Sequence, residues 1–235
     1  MDIFLRDPNF KKIAYLDEFE SFIWTERFNE YGDFEMVLPE GSRSGWVQRG
    51  SYITHGDSHR VMMIEERQEN IDSDGKMTVV IKGRSIEAFL DSRVVVPNYT
   101  PGITWRMSGT MSEIVVRLVG DICYRGIGMS EKDIIPGLYV VNDTTSDTEQ
   151  VSVAVKIKSL YEAVKELCES SNLGFAINQI DNANGTQNLR FFVYEGQTRN
   201  NVIFGSLLNN LTNVSSVETD TDYRNVAYVW AKDGT

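Results

Sequence analysis

The amino-acid sequence predicts an α+β protein that is mostly β. We expect a small antiparallel β-barrel or sandwich over residues 1–97 and an α+β domain over residues 98–235. Short strand-like stretches at short spacing fill the first part, which is typical of small barrels and sandwiches. Two amphipathic helix patterns followed by strands fill the second part. The strands that close the second domain are expected to pack back on the first barrel.

A β-hairpin over residues 61–82 is the clearest local signal. The second half of this stretch alternates apolar and polar residues, and Asp74-Gly75 lies at the reversal, a combination that predicts a hairpin. We expect the second strand to end at Gly83 and Ser85 to cap a short helix. One face of that helix is predicted to carry Ile86, Phe89 and Leu90.

The other strands of the first domain follow from alternation and from turn residues. They are predicted at residues 3–5, 12–16, 21–28, 34–38 and 51–55. The fourth of these should end at Pro39, because proline cannot donate to a strand ladder. Residues 97–109 contain two prolines and two glycines, which predicts a linker between the domains.

Two capping boxes open the predicted helices of the second domain. Thr110 and Glu113 form the first, and Ser159 and Glu162 form the second; in each, hydroxyl and carboxylate can satisfy free backbone N–H groups. Apolar residues at helical spacing follow both boxes. Further strands are predicted as a hairpin at residues 175–177 and 189–194 and as closing strands at residues 202–204, 214–219 and 226–230.

The composition is that of an acidic globular protein. The chain has 235 residues and a net charge of -11, which argues against nucleic-acid binding because that depends on lysine and arginine. The same charge suits a surface that DNA must pass without adhering. No apolar run approaches a membrane span, and no secretory signal is predicted. Cys123 and Cys168 lie on apolar helix faces, which favours buried free thiols over a disulfide.

No catalytic, cofactor-binding or metal site is predicted, and we do not expect an enzyme. The two histidines, His55 and His59, flank Asp57 in a stretch that could offer zinc two imidazoles and a carboxylate. Glycine and serine mark this stretch as a loop, so a solvated loop is favoured. No serine or cysteine has a neighbouring base in the sequence, and nucleophilic catalysis needs one.

Three other patterns also favour structural interpretations. Glu65 and Glu66 are adjacent on a strand, so we expect them on opposite faces rather than as a carboxylate pair. The stretch Asp72 to Gly75 loosely resembles a calcium loop, but the glutamate that would end such a loop is absent. Gly126-Ile127-Gly128 lacks the strand-to-helix context of a dinucleotide loop.

Aromatic residues and two arginines leave alternatives open. Arg84 and Arg93 flank the short helix and can neutralise carboxylates inside the fold or across a subunit boundary. Five aromatic residues are candidates for a sugar-stacking platform or an oligomer contact, although ordinary core packing is favoured. They are Trp24, Tyr31, Phe34, Trp46 and Trp105.

Three segments in the first domain resemble a known family. Residues 24–39 read Trp-Thr-Glu-Arg-Phe and then Gly-Asp-Phe-Glu-Met-Val-Leu-Pro, residues 61–65 read Val-Met-Met-Ile-Glu, and residues 82–95 begin Lys-Gly-Arg-Ser-Ile-Glu. With the two capped helices and the stretch 223–229 in the same order, the chain resembles the siphophage tail proteins called Gp37-like. These are similar to the N-terminal hub region of phage tail-associated (Tal) proteins, and the resemblance covers nearly the whole chain.

The resemblance implies a phage baseplate-hub-like fold and a homotrimer whose β-barrels form a ring around the tail axis. It implies the distal tail protein, the tape measure protein and other tail-tip proteins as partners, and no catalytic residues. The implied location is the virion tail tip, after synthesis in the host cytoplasm. Family members are commonly longer, so we expect either a short member or an N-terminal fragment.

The leading hypothesis is therefore a structural tail-tip protein that joins tail tube to tail tip and gates DNA passage. A host cell-wall carbohydrate-binding module that uses exposed tryptophan and tyrosine is the first alternative. A cell-wall hydrolase component that uses His55, Asp57 and His59 is the second.

Overall fold

The computed structural model describes residues 2–41, 43–98, 102–124, 134–144, 147–181 and 187–197. Within these residues the strands are β1 (Ile3–Arg6), β2 (Lys12–Tyr15), β3 (Ser21–Thr25), β4 (Asp33–Pro39), β5 (Tyr52–His55), β6 (Met62–Ile71), β7 (Met77–Ser85), β8 (Thr104–Gly109), β9 (Leu138–Asn142), β10 (Val151–Lys156), β11 (Leu173–Asp181) and β12 (Gln187–Glu195). The α-helices are α1 (Met111–Val119) and α2 (Leu160–Ser170). Short 3-10 helices lie at Ser44–Trp46 and Ile86–Ser92, and a π-helical turn lies at Gly120–Tyr124.

The first seven strands form one antiparallel sheet in the order β2-β1-β5-β6-β7-β4-β3. Its centre is the predicted hairpin, in which β6 and β7 pair from Met62 opposite Ser85 to Ile71 opposite Met77. Gly75 has a φ of 80° in the turn, a conformation that glycine adopts without steric cost. The hairpin prediction is confirmed, although β7 continues two residues beyond its predicted end at Gly83.

This sheet is strongly curled, and its hydrogen-bond ladder does not close among the described residues. β2 and β3 are its two edge strands, so the predicted barrel or sandwich is not confirmed. Although three strands separate β3 from β5, the rings of Trp24 and His55 lie 4.6 Å apart across the concave face. The concave face holds a core cluster of alternating residues from the strands, among them Ile3, Leu5, Phe34, Met36, Leu38, Ile53, Met62, Ile64, Val79 and Ile81.

Ser85 has a different role from the predicted one. It precedes the 3-10 helix with extended backbone angles, but its side chain makes no capping hydrogen bond. Its hydroxyl oxygen instead accepts a hydrogen bond from the backbone N–H of Gly32, at 2.8 Å, and so ties β7 to the β3–β4 connection. Ile86 and Leu90 are fully buried as the apolar pattern predicts.

The predicted linker over residues 97–109 contains a strand, so that prediction is wrong in part. β8 pairs with β10, from Thr104 opposite Lys156 to Gly109 opposite Val151. The prolines and glycines lie at the ends of this stretch and obscured the strand between them. The alternation of valine in β10 was a strand signal that the sequence analysis did not use.

The first predicted capping box is present in full, whereas only one of the two hydrogen bonds of the second is present among the described residues. Thr110 and Glu113 make the full capping box, because each side chain accepts a hydrogen bond from the other residue's backbone N–H. Ser159 accepts from the N–H of Glu162 at 3.5 Å. After α2, Asn172 adopts a left-handed conformation that helps to end the helix.

The third sheet has the order β11-β12-β9. β11 and β12 form the predicted antiparallel hairpin, whereas β12 and β9 run parallel. The predicted turn at Asn184-Gly185 and the closing strands at residues 202–204, 214–219 and 226–230 lie outside the described residues.

One continuous apolar cluster joins the 3-10 helix and strand residues before position 97 to the helices and strands after it. Ile86 and Leu90 from the first part pack with Leu118, Val164 and Phe175 from the second. Cys123 and Cys168 are both buried and form no disulfide, as predicted. The chain divides into a compact unit of Met1–Gly196 and a second unit of Gln197–Thr235, and a domain boundary at residue 97 stays a prediction.

Gly83 allows the closest backbone approach in the large sheet. A Cβ atom placed on it would lie 1.7 Å from the carbonyl oxygen of Met63. We expect Gly83→Ala to lower the free energy of unfolding by about 3 kcal/mol or more, because backbone must shift in a packed sheet. Chemical denaturation measures this loss. Gly45→Ala is the control, since a Cβ there meets no atom within 4 Å, and equal losses in the two variants would refute the argument.

Candidate functional site

The two histidines line the same cavity but differ in exposure. His55 ends β5 with 9% of its surface exposed, whereas His59 is exposed. The Nδ1 atom of His55 accepts a hydrogen bond from the N–H of Asp57, and its Nε2 atom is buried without a hydrogen-bond partner. Burial lowers the pKa of His55 below 6.5. Within the part of the chain that the structure describes, no group of three histidine, cysteine, aspartate or glutamate side chains could hold a metal ion.

The five candidate aromatic residues do not form one platform. Phe34 and Trp105 are almost fully buried, at 2% and 1% exposure, while Trp46 is 58% exposed. Trp24 packs against the concave core of the large sheet. Tyr31 contacts Tyr161 of α2, with ring centroids 4.8 Å apart. Core packing therefore accounts for most of the set, as the sequence analysis favoured.

Trp105 is buried with its polar atom satisfied. Its indole N–H donates to Oδ2 of Asp121 at 3.1 Å. Asp121 is itself 2% exposed and forms an ion pair with Arg117 at 2.7 Å, one helical turn away. This arrangement fixes β8 against α1 and leaves the indole no face for a sugar.

An open groove crosses the convex face of the large sheet beside β3, with a volume of about 450 Å³. Glu65 and Glu66 both line it, so the prediction that they point to opposite faces is wrong. The reason is a β-bulge between Ile64 and Glu66, opposite Gly83, which inserts one extra residue and breaks the alternation.

Arg84 holds one of these carboxylates. Its guanidinium donates two hydrogen bonds to Glu65, at 2.8 and 2.7 Å, and lies 5.0 Å from the Tyr31 ring centroid. These bonds to Glu65 raise the pKa of Arg84. Arg93 instead donates to the backbone carbonyl of Phe89 at 2.9 Å. Both arginines therefore make contacts inside the described fold.

The most buried ion pair joins Arg60 to Glu87. Their side chains are 7% and 0% exposed, and the closest nitrogen and oxygen lie 2.5 Å apart. The same glutamate oxygen accepts from the N–H of Ile177 in β11 at 2.7 Å. Burial is the largest single influence and lowers the pKa of Arg60, but the charge of Glu87, the hydrogen bond to it and the nearby Tyr194 and Glu26 together outweigh burial and raise the pKa.

A hydrogen-bonded seam extends from this pair, which we define by Phe28, Arg60, Glu87, Gly174 and Tyr194. Arg60 donates to the carbonyl of Arg27 at 2.8 Å, and the Tyr194 hydroxyl donates to the carbonyl of Phe28 at 3.1 Å. Gly174 permits this approach, because a Cβ there would lie 2.6 Å from the Phe28 oxygen. The seam fixes the β3–β4 connection and the 3-10 helix against β11 and β12.

Sequence reasoning missed the seam. Glu87 lies one residue from the apolar positions of a short helix. From the sequence alone, a charged residue at such a position is expected to face solvent. Its partner is 27 residues away in sequence. A usable signal was the clustering of apolar neighbours around Glu87, because Ile86, Ala88 and Leu90 leave a seven-residue helix little polar surface.

The family model for the Siphovirus ReqiPepy6 Gp37-like protein matches residues 2–234. The chain belongs to this Gp37-like family. No curated protein sequence matches it.

Two solved structures are similar to the Gp37-like chain. One is the tail protein from Neisseria meningitidis MC58, with a TM-score of 0.44 and 12% identity, which covers 80% of this chain and 49% of that one. The other is the E. coli c3393 protein, described as a type VI secretion system component with structural similarity to T4 bacteriophage tail proteins gp27 and gp5. It has a TM-score of 0.44 and 10% identity, and covers 74% of this chain and 45% of that one. The chain thus spans about half the length of both structures.

Among the described residues of the Gp37-like chain, no helix has the length and apolar character needed to cross a membrane.

The buried ion pair of the seam predicts that replacing one partner lowers stability more than replacing both. We expect Arg60→Met to lower the free energy of unfolding by about 3–5 kcal/mol, because it leaves the Glu87 charge buried and unpaired. Arg60→Met combined with Glu87→Leu should recover much of this loss, because two apolar side chains replace the pair. Denaturant unfolding measures all variants.

The control for this cycle is Lys76→Met, which removes an exposed partner of Glu20 and should change stability little. A double variant as unstable as the sum of the two single variants would contradict the pairing argument.

Protonation of His55 should make stability fall in mildly acidic solution. Burial holds the folded pKa below the unfolded value near 6.5, so the unfolded chain takes up the proton first as the pH falls. The stabilisation provided by neutral His55 is complete above pH 6.5. It declines as the pH falls from there towards the lowered pKa of the folded state. Across this pH range, the free energy of unfolding should depend less steeply on pH in His55→Phe than in the unsubstituted chain. In His59→Gln the dependence on pH should be unchanged. An unchanged slope in His55→Phe would refute the assignment.

Proposed function

We propose that this Gp37-like chain is a structural protein of the phage tail tip. In this proposal a homotrimeric, baseplate-hub-like ring joins the tail tube to the tip and lets DNA pass. The observation that carries the proposal is the family match over residues 2–234, which includes both the large sheet and the helical part. The distal tail protein, the tape measure protein and other tail-tip proteins are the proposed partners, and the virion tail tip is the proposed location.

The seam supports a load-transmitting role. A ring subunit must keep its layers at a fixed angle while neighbouring proteins press on it. Arg60, Glu87 and Tyr194 join layers through directional hydrogen bonds, and Gly174 brings two backbones together. Such contacts allow little sliding, because each buried polar group that moved would lose its partner.

The charge of the chain supports passage of DNA through the ring. The sequence has 34 acidic and 23 basic residues, so its surface repels a polyanion at short range. Screening limits this repulsion to about 8 Å at physiological salt, which is short enough to act only on DNA close to the ring wall. An acidic ring wall does not bind DNA, because such binding depends on basic side chains that displace counterions from the phosphates.

The test is absolute mass in solution over a wide concentration range, by sedimentation, with and without the distal tail protein. We expect a trimer, either alone or once the partner is added. An unrelated acidic protein of similar size is the matched control for non-specific association. A monomer at every concentration that also fails to bind the distal tail protein would refute the proposed ring.

A further inference from the structure

His55 lies where edge strand β3 approaches β5 across the concave face of the large sheet. The rings of Phe22 and Trp24, both on β3, meet the imidazole edge to face, with centroids 6.2 and 4.6 Å from its own. Three strands separate β3 from β5 in the described sheet, so no hydrogen-bond ladder joins these two strands. The aromatic contact of His55 therefore helps to hold β3 near the end of β5.

A backbone hydrogen bond selects one neutral form of the His55 ring. The Nδ1 atom accepts from the N–H of Asp57 at 3.3 Å, which requires a free lone pair on that nitrogen. The single proton of the neutral imidazole is then on Nε2. Nε2 is buried, and no described group forms a hydrogen bond with it. The folded surroundings thus fit the ring with one proton and offer no acceptor for a second.

The charged groups around His55 act on it in opposite directions. Glu26, just after β3, and Asp57, in the loop after β5, favour the charged imidazolium through space, whereas the N-terminal amine opposes it. Burial is the largest influence and outweighs both carboxylates, so the pKa of His55 is lowered. The other titratable side chains that share a cavity with His55 are Arg6, Lys12, His59 and Arg60.

A second proton on His55 conflicts with these contacts. It must occupy Nδ1, where it would meet the N–H of Asp57, so a bond between donor and acceptor becomes a contact between two donors. It also places a charge on a residue that is only 9% exposed. Cation–π attraction to Trp24 favours the charged ring but does not replace the lost acceptor. Gly56 and Asp57 are exposed, so the ring can turn towards solvent on this side.

We propose that His55, with Phe22 and Trp24, forms a pH-sensitive latch. The neutral imidazole holds β3 against the end of β5, and its protonation releases the two aromatic rings and the N–H of Asp57. The chain stays folded when the latch opens, so this release is separate from the loss of global stability in acid. The inference is independent of the proposed ring.

The opening is local because other contacts hold the surroundings of the latch. The Ser58 hydroxyl donates to Glu26 and so ties the loop after β5 to the end of β3. Arg60 and Glu87 form their buried pair without His55. Protonation of His55 therefore leaves the loop attached at both of these points.

NMR of the histidine rings in the full chain tests the first step. At about pH 7.5, where an ordinary histidine is neutral, we expect the proton of His55 on Nε2. As the pH is lowered, His55 should titrate with a lower midpoint than the exposed His59 in the same sample. The variants His55→Phe and His59→Gln assign the two rings. A proton on Nδ1 of neutral His55, or equal midpoints for the two rings, would overturn the proposal without any need for a variant to fold.

Two NMR signals follow the release itself, the indole N–H of Trp24 and the backbone amide of Asp57. Trp24→Phe assigns the indole signal. Between about pH 7.5 and about pH 5 we expect both signals to shift with the midpoint of His55. His59→Gln, the matched control, should keep both shifts, whereas His55→Phe should abolish them, and circular dichroism checks that each variant is folded. Signals that stay in place while His55 titrates, or shifts that persist in folded His55→Phe, would refute the latch.

Discussion

The buried ion pair of Arg60 and Glu87 is the constraint on which the arrangement of the layers depends. A glutamate with no exposed surface is costly, and here the cost is offset by the charge of its partner and by two hydrogen bonds to Oε1, while Oε2 is buried without a hydrogen-bond partner. Here the cation comes from the loop before β6, and the N–H of Ile177 comes from β11. Apolar packing alone tolerates sliding between layers, whereas this geometry does not. The ion pair therefore specifies which relative placement of sheet, 3-10 helix and β11 is the native one.

The glycines near this pair follow from the same requirement. For Arg60 to reach both Glu87 and the Arg27 carbonyl, the β3–β4 connection must lie against β11. Gly174 makes that possible, since any side chain there would meet the Phe28 carbonyl. Gly83 likewise allows β6 and β7 to approach each other, because the bulge brings the Met63 carbonyl close to it. Close backbone contact at these two glycines thus brings β6 and β7 together and brings the β3–β4 connection against β11.

Local signals in the sequence predicted the local structure well. The β6–β7 hairpin and the Thr110 capping box depend on residues a few positions apart, and both are present. The prediction failed where a distant residue decides the outcome. β8 is stabilised by β10, more than 40 residues later, while flanking prolines and glycines suggested a linker. Alternation placed Glu65 and Glu66 on opposite faces, but the bulge opposite Gly83 is a property of two strands and cannot be read from one.

In the candidate sites too, local features could be predicted and contacts between distant residues could not. The buried charged side chains also show where the acidic charge lies. In the described residues the buried charged side chains are two arginines, Arg6 and Arg60, and two carboxylates, Glu87 and Asp121. Because these balance, the excess of 11 negative charges is not consumed inside the described fold. Arg84 is paired with Glu65, so this pair also leaves the excess unchanged. Among the described residues, the negative balance is for that reason a property of the surface, where it acts on whatever the protein meets.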